Sequence, residues 1–312
     1  MILVPVTYKG GVYRLDEVVD YIEDLGGYIV QRHNIANEVI LQVLMPKEDI
    51  EPLREFSRPL SGEVSESPLV GTEIAVVIPS LEIHHLPHSA CDVAEYLRSN
   101  GSKSNILGMA RGFGRRIAQL NDEERDLINE HDAAIFVLGN FASCIAQKFP
   151  KLRKGINVPI ILTVGPKREI LEEMTDPPVA GYVGGLGRFM HRTQTGEDIA
   201  RLDAVIEEVE KVISMRREEI ANDPLSVSPA RVQDVIKQNF PEIEEVLSPA
   251  PVAVQLNGLR IKLPYPEYAE KFRATVVEDG VTLGQVADVL PSRMRNYILI
   301  RIKPLSETNI VV

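Results

Sequence analysis

Four short apolar runs between residues 73 and 165 constrain the fold of this chain most strongly. Each has the length of a β-strand and few polar residues, which is typical of a parallel strand buried on both faces. Segments with helical spacing of apolar residues separate them, and "PVAGYVGGLG" further on predicts a fifth strand. The alternation predicts an open parallel α/β sheet of the Rossmann-like type. The four runs are "EIAVVIPS", "SNILGMA", "AAIFVLGN" and "VPIILTVG".

The chain before this sheet has a different pattern. Residues 1–70 predict the element order βαββαβ, which is that of a ferredoxin-like α+β domain. In "YRLDEVVDYIEDLGG" the apolar residues recur at helical spacing, and Gly26 with Gly27 ends the helix. An N-terminal ferredoxin-like domain therefore precedes the parallel sheet, which we place in residues 71–224.

The end of the parallel domain is a long charged helix followed by the turn-rich "DPLSVSP". Residues 225–312 then predict a small C-terminal α+β domain, with a hairpin around Asp279 and Gly280. The long helix carries an apolar stripe that is more typical of a packing face than of a coiled coil. The stripe consists of Ile199, Leu202, Ile206, Val209 and Ile213.

Composition excludes several classes of protein. The 34 Lys and Arg residues against 45 Asp and Glu give a net charge of −11, without a dense basic run, so we expect no nucleic-acid partner. No apolar run approaches the roughly 18–20 residues that span a bilayer, and the N-terminus lacks the features of a signal peptide. Two cysteines in 312 residues argue against a disulfide scaffold. We expect a cytoplasmic, soluble protein without a membrane partner.

Potential soft metal ligands are concentrated where the first predicted strand ends. "SLEIHHLPHSACD" holds His84, His85, His88 and Cys91, and the other cysteine, Cys144, follows the third strand in "GNFASC". Both cysteines fall at predicted helix starts, where the helix dipole favours the thiolate that binds metal. Because the carboxyl ends of parallel strands lie at one edge of a sheet, we expect both thiols to face one crevice.

Other interpretations of these residues stay open. Buried packing is the commonest role of cysteine, and a pair of Cys144 with a histidine could act as a nucleophile. A closed zinc site is disfavoured, because neither CxxC nor HExxH is present. A site with few ligands per chain, such as an iron–sulfur cofactor in this crevice or across a subunit interface, stays open beside these interpretations.

Two glycine-rich segments follow other strands of the predicted sheet. "GMARGFGRR" carries Arg111, Arg115 and Arg116, and "GYVGGLGR" carries Gly184, Gly185 and Arg188. Glycine lets backbone amides approach an anion, and arginine binds carboxylate or phosphate through two parallel bonds. Tight turns with solvated arginines explain the same pattern equally well. Neither GxxxxGK[ST] nor GxGxxG occurs, so we predict no ATP or NAD binding.

Long stretches of the sequence closely resemble the methanogenesis marker protein 7 family, which is related to methyl-coenzyme M reductase operon protein C. The likeness runs through about the first 220 residues and, more loosely, to the C-terminus. It is carried by "YKGGVYRLDEVVDYIEDLGGYI", "VGTEIAVVIPSL", "HHLPHSACDVAEYLR", "GMARGFGRRIAQLN" and "NEHDAAIFVLGNFASC".

The resemblance implies a subunit of the assembly that activates methyl-coenzyme M reductase in methanogenic archaea. This ATP-dependent reduction brings the nickel tetrapyrrole of the reductase to Ni(I). Because the reduction needs electrons of very low potential, the resemblance implies an iron–sulfur cofactor, which could be a complex multi-iron cluster. The expected partners are the reductase and the other activation subunits, among them a separate ATPase. Arg111, Arg115 and Arg188, with Gly184 and Gly185, would then offset the negative charge of the cluster.

Two classes of function remain. In the first, the protein carries a cluster and transfers electrons, with metal ligands from Cys91, Cys144 and the histidines at 84, 85 and 88. In the second, it is a structural adaptor of the assembly without a cofactor of its own. Both are non-catalytic subunits, and the sequence favours them over an enzyme.

Overall fold

The fold is taken from a computed structural model, which describes residues 3–78, 89–109, 120–174, 178–186, 196–246, 248 and 250–312. The chain divides into two compact units. Met1–Thr72 and Arg216–Val312 form one unit, and Glu73–Met215 form the other.

The N-terminal part of the first unit is an antiparallel sheet with two helices. Its strands lie in the order β2-β3-β1-β4, and every neighbouring pair is antiparallel. The βαββαβ order predicted from the sequence is present. The elements are β1 Leu3–Gly11, α1 Leu15–Asp24, β2 Tyr28–Ile35, β3 Glu38–Pro46, α2 Ile50–Ser57 and β4 Glu63–Glu66.

Helix α1 forms where apolar residues recur every three or four positions. Leu15, Val18 and Ile22 are buried on the face that packs on the sheet. The helix ends at the predicted glycines: Gly26 takes a φ of 70°, and the amide of Gly27 donates to the carbonyl of Ile22 at 2.9 Å. A left-handed glycine after the last turn is the usual way to satisfy the final carbonyls of a helix.

The second unit is built on the predicted parallel sheet, which is confirmed. Five parallel strands lie in the order β6-β5-β7-β8-β9. Strand β6 therefore lies on one side of β5, and β7, β8 and β9 follow on the other side. The strands are β5 Glu73–Ile78, β6 Lys103–Gly108, β7 Ala133–Val137, β8 Ile160–Thr163 and β9 Gly181–Val183. The helices are α3 Ser89–Ser99, α4 Asp122–Asn129, α5 Ala142–Arg153, α6 Arg168–Met174 and α7 Gly196–Asn222, and α7 continues from Arg216 onward into the first unit.

Helices α3 and α5 pack on opposite faces of this sheet. The hydroxyl of Ser104 on β6 donates to the carbonyl of Ala94 on α3, and Ser104 is in register with Ile74. Phe149 on α5 instead packs with Val77, three residues along β5 from Ile74. Because successive side chains of a strand point to opposite faces, positions 74 and 77 face different helices.

Helix α7 is the long charged helix that the sequence predicts. Leu202, Ile206, Val209 and Ile213 of the predicted stripe are buried, whereas Ile199 near the helix start is 41% exposed. Stripe residues after the first turn therefore form the predicted packing face. None of the helices in the described ranges is both long and apolar enough to cross a membrane.

The C-terminal part of the first unit contains a second antiparallel sheet, in the order β10-β11-β15-β14. The predicted hairpin is present, with Asp279 and Gly280 at φ values of 46° and 80°. The strands are β10 Val252–Gln255, β11 Gly258–Ile261, β12 Val276–Glu278, β13 Val281–Thr282, β14 Ala287–Pro291 and β15 Ile298–Ile302. The helices are α8 Pro229–Asn239, α9 Tyr265–Ala274, α10 Leu283–Val286 and α11 Leu305–Thr308.

The two sheets of the first unit share a hydrophobic core. Val30 on β2 belongs to the same buried cluster as Val232 and Ile236 on α8. The side-chain Nε2 of Gln233 donates to the carbonyl of Val30 at 2.9 Å. Residues 216–312 thus pack with residues 1–72, while each part contributes its own sheet. The division into three domains at 70 and 224 stays a prediction.

Candidate functional site

Cys91 is the third residue of α3, the helix that follows β5. Its side chain is half-buried, while Ala90, Val93 and Ala94 of the same helix are buried against the sheet. The apolar residues thus fix the rotation of the helix and leave Cys91 at the boundary between core and solvent.

Cys144 occupies the equivalent position, third in α5, the helix that follows β7. The thiol is exposed, and the amide of Cys144 donates to the carbonyl of Phe141 at 3.0 Å. Phe141 is the N-cap and provides no side-chain cap, and the first turn has no acidic residue. The positive end of the helix dipole is therefore not offset by acidic side chains of its own first turn.

The two cysteines lie on either side of the topological switch point between β5 and β7, where the strand order of the sheet reverses. Strands β5 and β7 are neighbours, and the helices that follow them lie on opposite faces, as their packing partners require. Ligands of open α/β sheets bind in the crevice that such a reversal opens beyond the carboxyl ends of the strands. A cofactor shared by Cys91 and Cys144 therefore has to bridge this reversal, because no single helix layer contains both thiols.

Other predicted site residues lie outside the described residues. These are His84, His85 and His88, which precede α3, together with Arg111, Arg115, Arg116 and Arg188 in the glycine-rich segments. Their roles stay predictions. Within the described residues, no group of three or more His, Cys, Asp or Glu side chains is arranged to hold a metal ion.

Gly184 and Gly185 are explained by backbone packing beyond β9. A Cβ atom at Gly184 would lie 2.7 Å from the carbonyl oxygen of Pro166 and 2.8 Å from the amide nitrogen of Arg168. Gly185 takes a φ of 79°, and its amide donates to the carbonyl of Gly165 at 3.2 Å. The tight turns that the sequence also allowed at these glycines are therefore present. A contact of Gly184 and Gly185 with a cofactor stays a prediction.

A buried polar cluster lies at the opposite, amino-terminal edge of the sheet. The Nδ2 of Asn105 donates to Oε1 of Glu73 at 2.6 Å and lies 3.0 Å from Nε2 of His131. The Nδ1 of His131 lies 2.9 Å from the carbonyl of Leu127, so this ring fits the tautomer with the proton on Nδ1. The amide of Glu73 donates to Asp132 at 2.8 Å. These contacts fix the starts of three strands.

Sequence reasoning missed this cluster. Its signal was present, because the polar residues of "TE" and "NEHD" directly precede or begin buried apolar strands. Glu73, His131 and Asp132 are all at most 6% exposed, and buried polar groups of this kind need hydrogen-bond partners. Because those partners lie on other strands, local periodicity could not reveal them.

A further buried carboxylate, Glu208 on α7, contacts the last strand of the sheet. It lies 3.5 Å from the guanidinium of Arg168 and 3.2 Å from the amine of Lys211, and it accepts from the amide of Tyr182 at 3.4 Å. Its charge is thus compensated by two cations, which is typical of a structural ion pair rather than a reactive acid.

These features define the class as a mixed α/β protein with a five-stranded parallel sheet and separate antiparallel sheets. The family profile of methyl-coenzyme M reductase operon protein C matches residues 3–275. The chain belongs to this family, which confirms the resemblance found in the sequence.

An uncharacterized protein of Methanocaldococcus jannaschii is 45% identical over 302 residues, which cover 97% of this chain and 94% of that protein. The family associates the chain with methyl-coenzyme M reductase and methanogenesis.

Solved structures offer only distant similarity. A hypothetical protein of known crystal structure is 20% identical over 21% of this chain and 33% of its own, with a TM-score of 0.19. The GsuK channel is 14% identical over 96% of this chain and 48% of its own, with a TM-score of 0.26. Neither similarity says anything about the fold or function of this chain.

Proposed function

We propose that this protein is a subunit of the ATP-dependent assembly that activates methyl-coenzyme M reductase, and that it holds an iron–sulfur cofactor for low-potential electron transfer. One observation carries the proposal. The two cysteines of the chain stand at the same position of two helices, after two neighbouring parallel strands, on either side of the reversal of the sheet.

The residues present fit such a cofactor as part of its ligand set. Cysteine thiolate is the usual ligand of iron–sulfur clusters, and the exposed thiol of Cys144 is open to an incoming metal. Cys91 is half-buried at the start of α3, so it could hold one side of a group that Cys144 holds on the other. When bound, the cofactor would supply one-electron transfer at low potential.

Two thiols are fewer than the four ligands that a cluster commonly takes. Further ligands would come from His84, His85 or His88, or from a partner subunit. In the same proposal, Arg111, Arg115 and Arg188 offset the negative charge of the cofactor, since a buried anion without such donors is costly.

The proposed partners follow from the same role. They are methyl-coenzyme M reductase itself, other subunits of the activation assembly, and a separate ATPase, because this sequence contains no P-loop. The proposal gives the protein no nucleic-acid or membrane partner.

The second candidate function is a structural adaptor of the same assembly. In this case the cysteines have no ligand role, and the two antiparallel sheets of the first unit serve as docking domains.

Iron and acid-labile sulfide in protein purified without oxygen separate the two functions. We expect both elements in the full chain and a loss of most of each in Cys91→Ala and in Cys144→Ala. Ser143→Ala is the matched control, because it changes an exposed neighbour of Cys144 in the same helix turn and keeps the thiol. Equal denaturation midpoints would show that the variants are folded.

Activation of the reductase is measured with the same variants. If iron, sulfide and activation are unchanged in both cysteine variants, the electron-transfer role is wrong and the adaptor role stands.

A further inference from the structure

A polar cavity of about 240 Å³ lies in the first unit, whereas the two cysteines belong to the second unit. One wall is the end of α1 and the start of β2, including Glu23, Gly26 and Tyr28, and the other wall is α8. The inference drawn from this cavity is independent of the proposed iron–sulfur cofactor, because every residue that lines it belongs to 1–72 or 216–312.

The innermost polar group of the cavity is the side chain of Gln233, which is only 2% exposed. Its Nε2 donates to the carbonyl of Val30 at 2.9 Å, which fixes the orientation of the amide. With the nitrogen held in this way, Oε1 is the atom that can accept a hydrogen bond from a donor in the cavity. A buried amide held in one orientation is a specific anchor for an N–H donor.

The cavity also presents donors for an anion. The guanidinium of Arg231 is half-buried and lies 3.9 Å from the carboxylate of Asp234, too far for a hydrogen bond, so N–H groups at its edge can donate to another acceptor. The hydroxyl of Tyr28 lies in the facing wall, within reach of this guanidinium. A phenol with the ordinary pKa of 10.0 is protonated at neutral pH, and burial raises the pKa of Tyr28 further, so it can donate to a carboxylate that Arg231 binds.

The wall formed by the end of α1 is negative. Glu23 lies in the last turn of α1, which contains no basic residue, so the negative end of that helix dipole has no cation of its own helix. Asp234, on the facing wall beside Arg231, adds a second carboxylate, to which the side-chain amide of Gln238 donates at 3.0 Å. An ammonium group would be attracted to this side and could donate to Oε1 of Gln233.

The mixture of charges decides between ligand classes. A metal cation would be repelled by Arg231 and Lys237, and a phosphate would be repelled by Glu23, Asp234 and the end of α1. A small molecule with one positive and one negative group satisfies both sides at once. We propose that this cavity binds a free α-amino acid, with its carboxylate on Arg231 and Tyr28 and its ammonium group on Gln233 and the acidic side.

The proposal is tested on the full chain with single L-amino acids as probes. Thermal unfolding is measured with each of the common L-amino acids at millimolar concentration, and titration calorimetry gives the affinity of those that stabilise the protein. We expect at least one stabilising amino acid, and we expect its N-acetyl and methyl-ester derivatives to bind at least about tenfold more weakly, because each removes one charge. If no amino acid stabilises the protein, the proposal is wrong.

Arg231→Gln locates the binding. It removes the guanidinium but keeps the backbone amide that donates to the cap residue Ser228, so α8 is expected to form normally. We expect an affinity lower by at least about tenfold. Arg58→Gln is the control, since this exposed arginine of the same unit does not line the cavity. An equal loss in both variants, or equal binding of the N-acetyl derivative, would overturn the assignment.

Discussion

At the scale of single residues, Gly184 beyond the carboxyl end of β9 is determined by close contact between backbones. The amide of Gly165 donates to the carbonyl of Gly139 at 3.3 Å, and the amide of Gly185 donates to the carbonyl of Gly165 at 3.2 Å. Hydrogen bonding between neighbouring segments thus continues past the strand ends. Such close approach leaves no room for a side chain at Gly184.

Gly184→Ala should therefore destabilise the protein. The new Cβ would lie within 2.9 Å of three backbone atoms of residues 166–168, and backbone cannot move aside as a flexible side chain can. We expect the free energy of unfolding to fall by about 1–3 kcal/mol, as for other overpacking substitutions. Chemical denaturation measures the change.

Gly139→Ala is the control for this substitution, because a Cβ there meets no atom within 4 Å. A fall of equal size in the two variants would show that the effect comes from the general loss of a glycine, and the packing argument would fail.

At the scale of secondary structure elements, α7 combines an apolar stripe with carboxylates in two different environments. Glu208 is buried and compensated by Arg168 and Lys211. Glu210 is half-buried, and burial, with a smaller effect of the neighbouring Glu207, raises its pKa above the ordinary 4.5. The folded protein therefore penalises the charged form of Glu210, and the penalty is present at neutral pH.

Glu210→Gln should stabilise the protein at pH 7, because it removes this charge. A carboxyl group with a raised pKa contributes stability below its ordinary pKa of 4.5 and loses that contribution as the pH rises through the folded pKa. The advantage of the variant should thus shrink as the pH is lowered toward 4.5. We expect a gain below about 1 kcal/mol at pH 7, since solvent partly screens the side chain.

Unfolding curves at several pH values measure this effect. Glu218→Gln, an exposed position on the same helix, is the control. A gain that is the same at pH 7 and near pH 4.5, or a gain of equal size in the control, would contradict the explanation by burial.

At the scale of the whole molecule, the two ends of the chain belong to one compact unit. Val30 of the N-terminal sheet lies in a core otherwise formed by residues of the C-terminal part, and Gln233 binds its carbonyl. Because a shared core couples the stability of its parts, we expect β2 and α8 to open together.

Ile236→Val tests this coupling. Ile236 is fully buried in the shared core, and the loss of one methyl group should cost about 0.5–1.5 kcal/mol without unfolding the protein. Hydrogen exchange should accelerate in Tyr28–Ile35 as well as in the C-terminal strands. Ile161→Val, at a fully buried position of the parallel sheet, is the control and should accelerate exchange in Glu73–Met215 instead. Unchanged exchange in β2 of Ile236→Val would show that the two sheets open independently.

The sequence by itself determined the local elements. Apolar runs predicted the five parallel strands, helical spacing predicted α1 and most of the buried stripe of α7, and the Asp279–Gly280 pair predicted its hairpin. It also placed Cys91 and Cys144 at helix starts after the first and third strands. These features depend on periodicity, turn residues and caps, which act over a few neighbouring residues.

Only the tertiary structure decided how these elements combine. The strand order put the helices of Cys91 and Cys144 on opposite faces, so a shared site must bridge the reversal of the sheet. Packing of α8 on β2 joined the two ends of the chain and created the cavity around Gln233. The physical reason is that strand order, buried polar partners and cavities depend on contacts between distant residues, and the local pattern of apolar residues is compatible with several such arrangements.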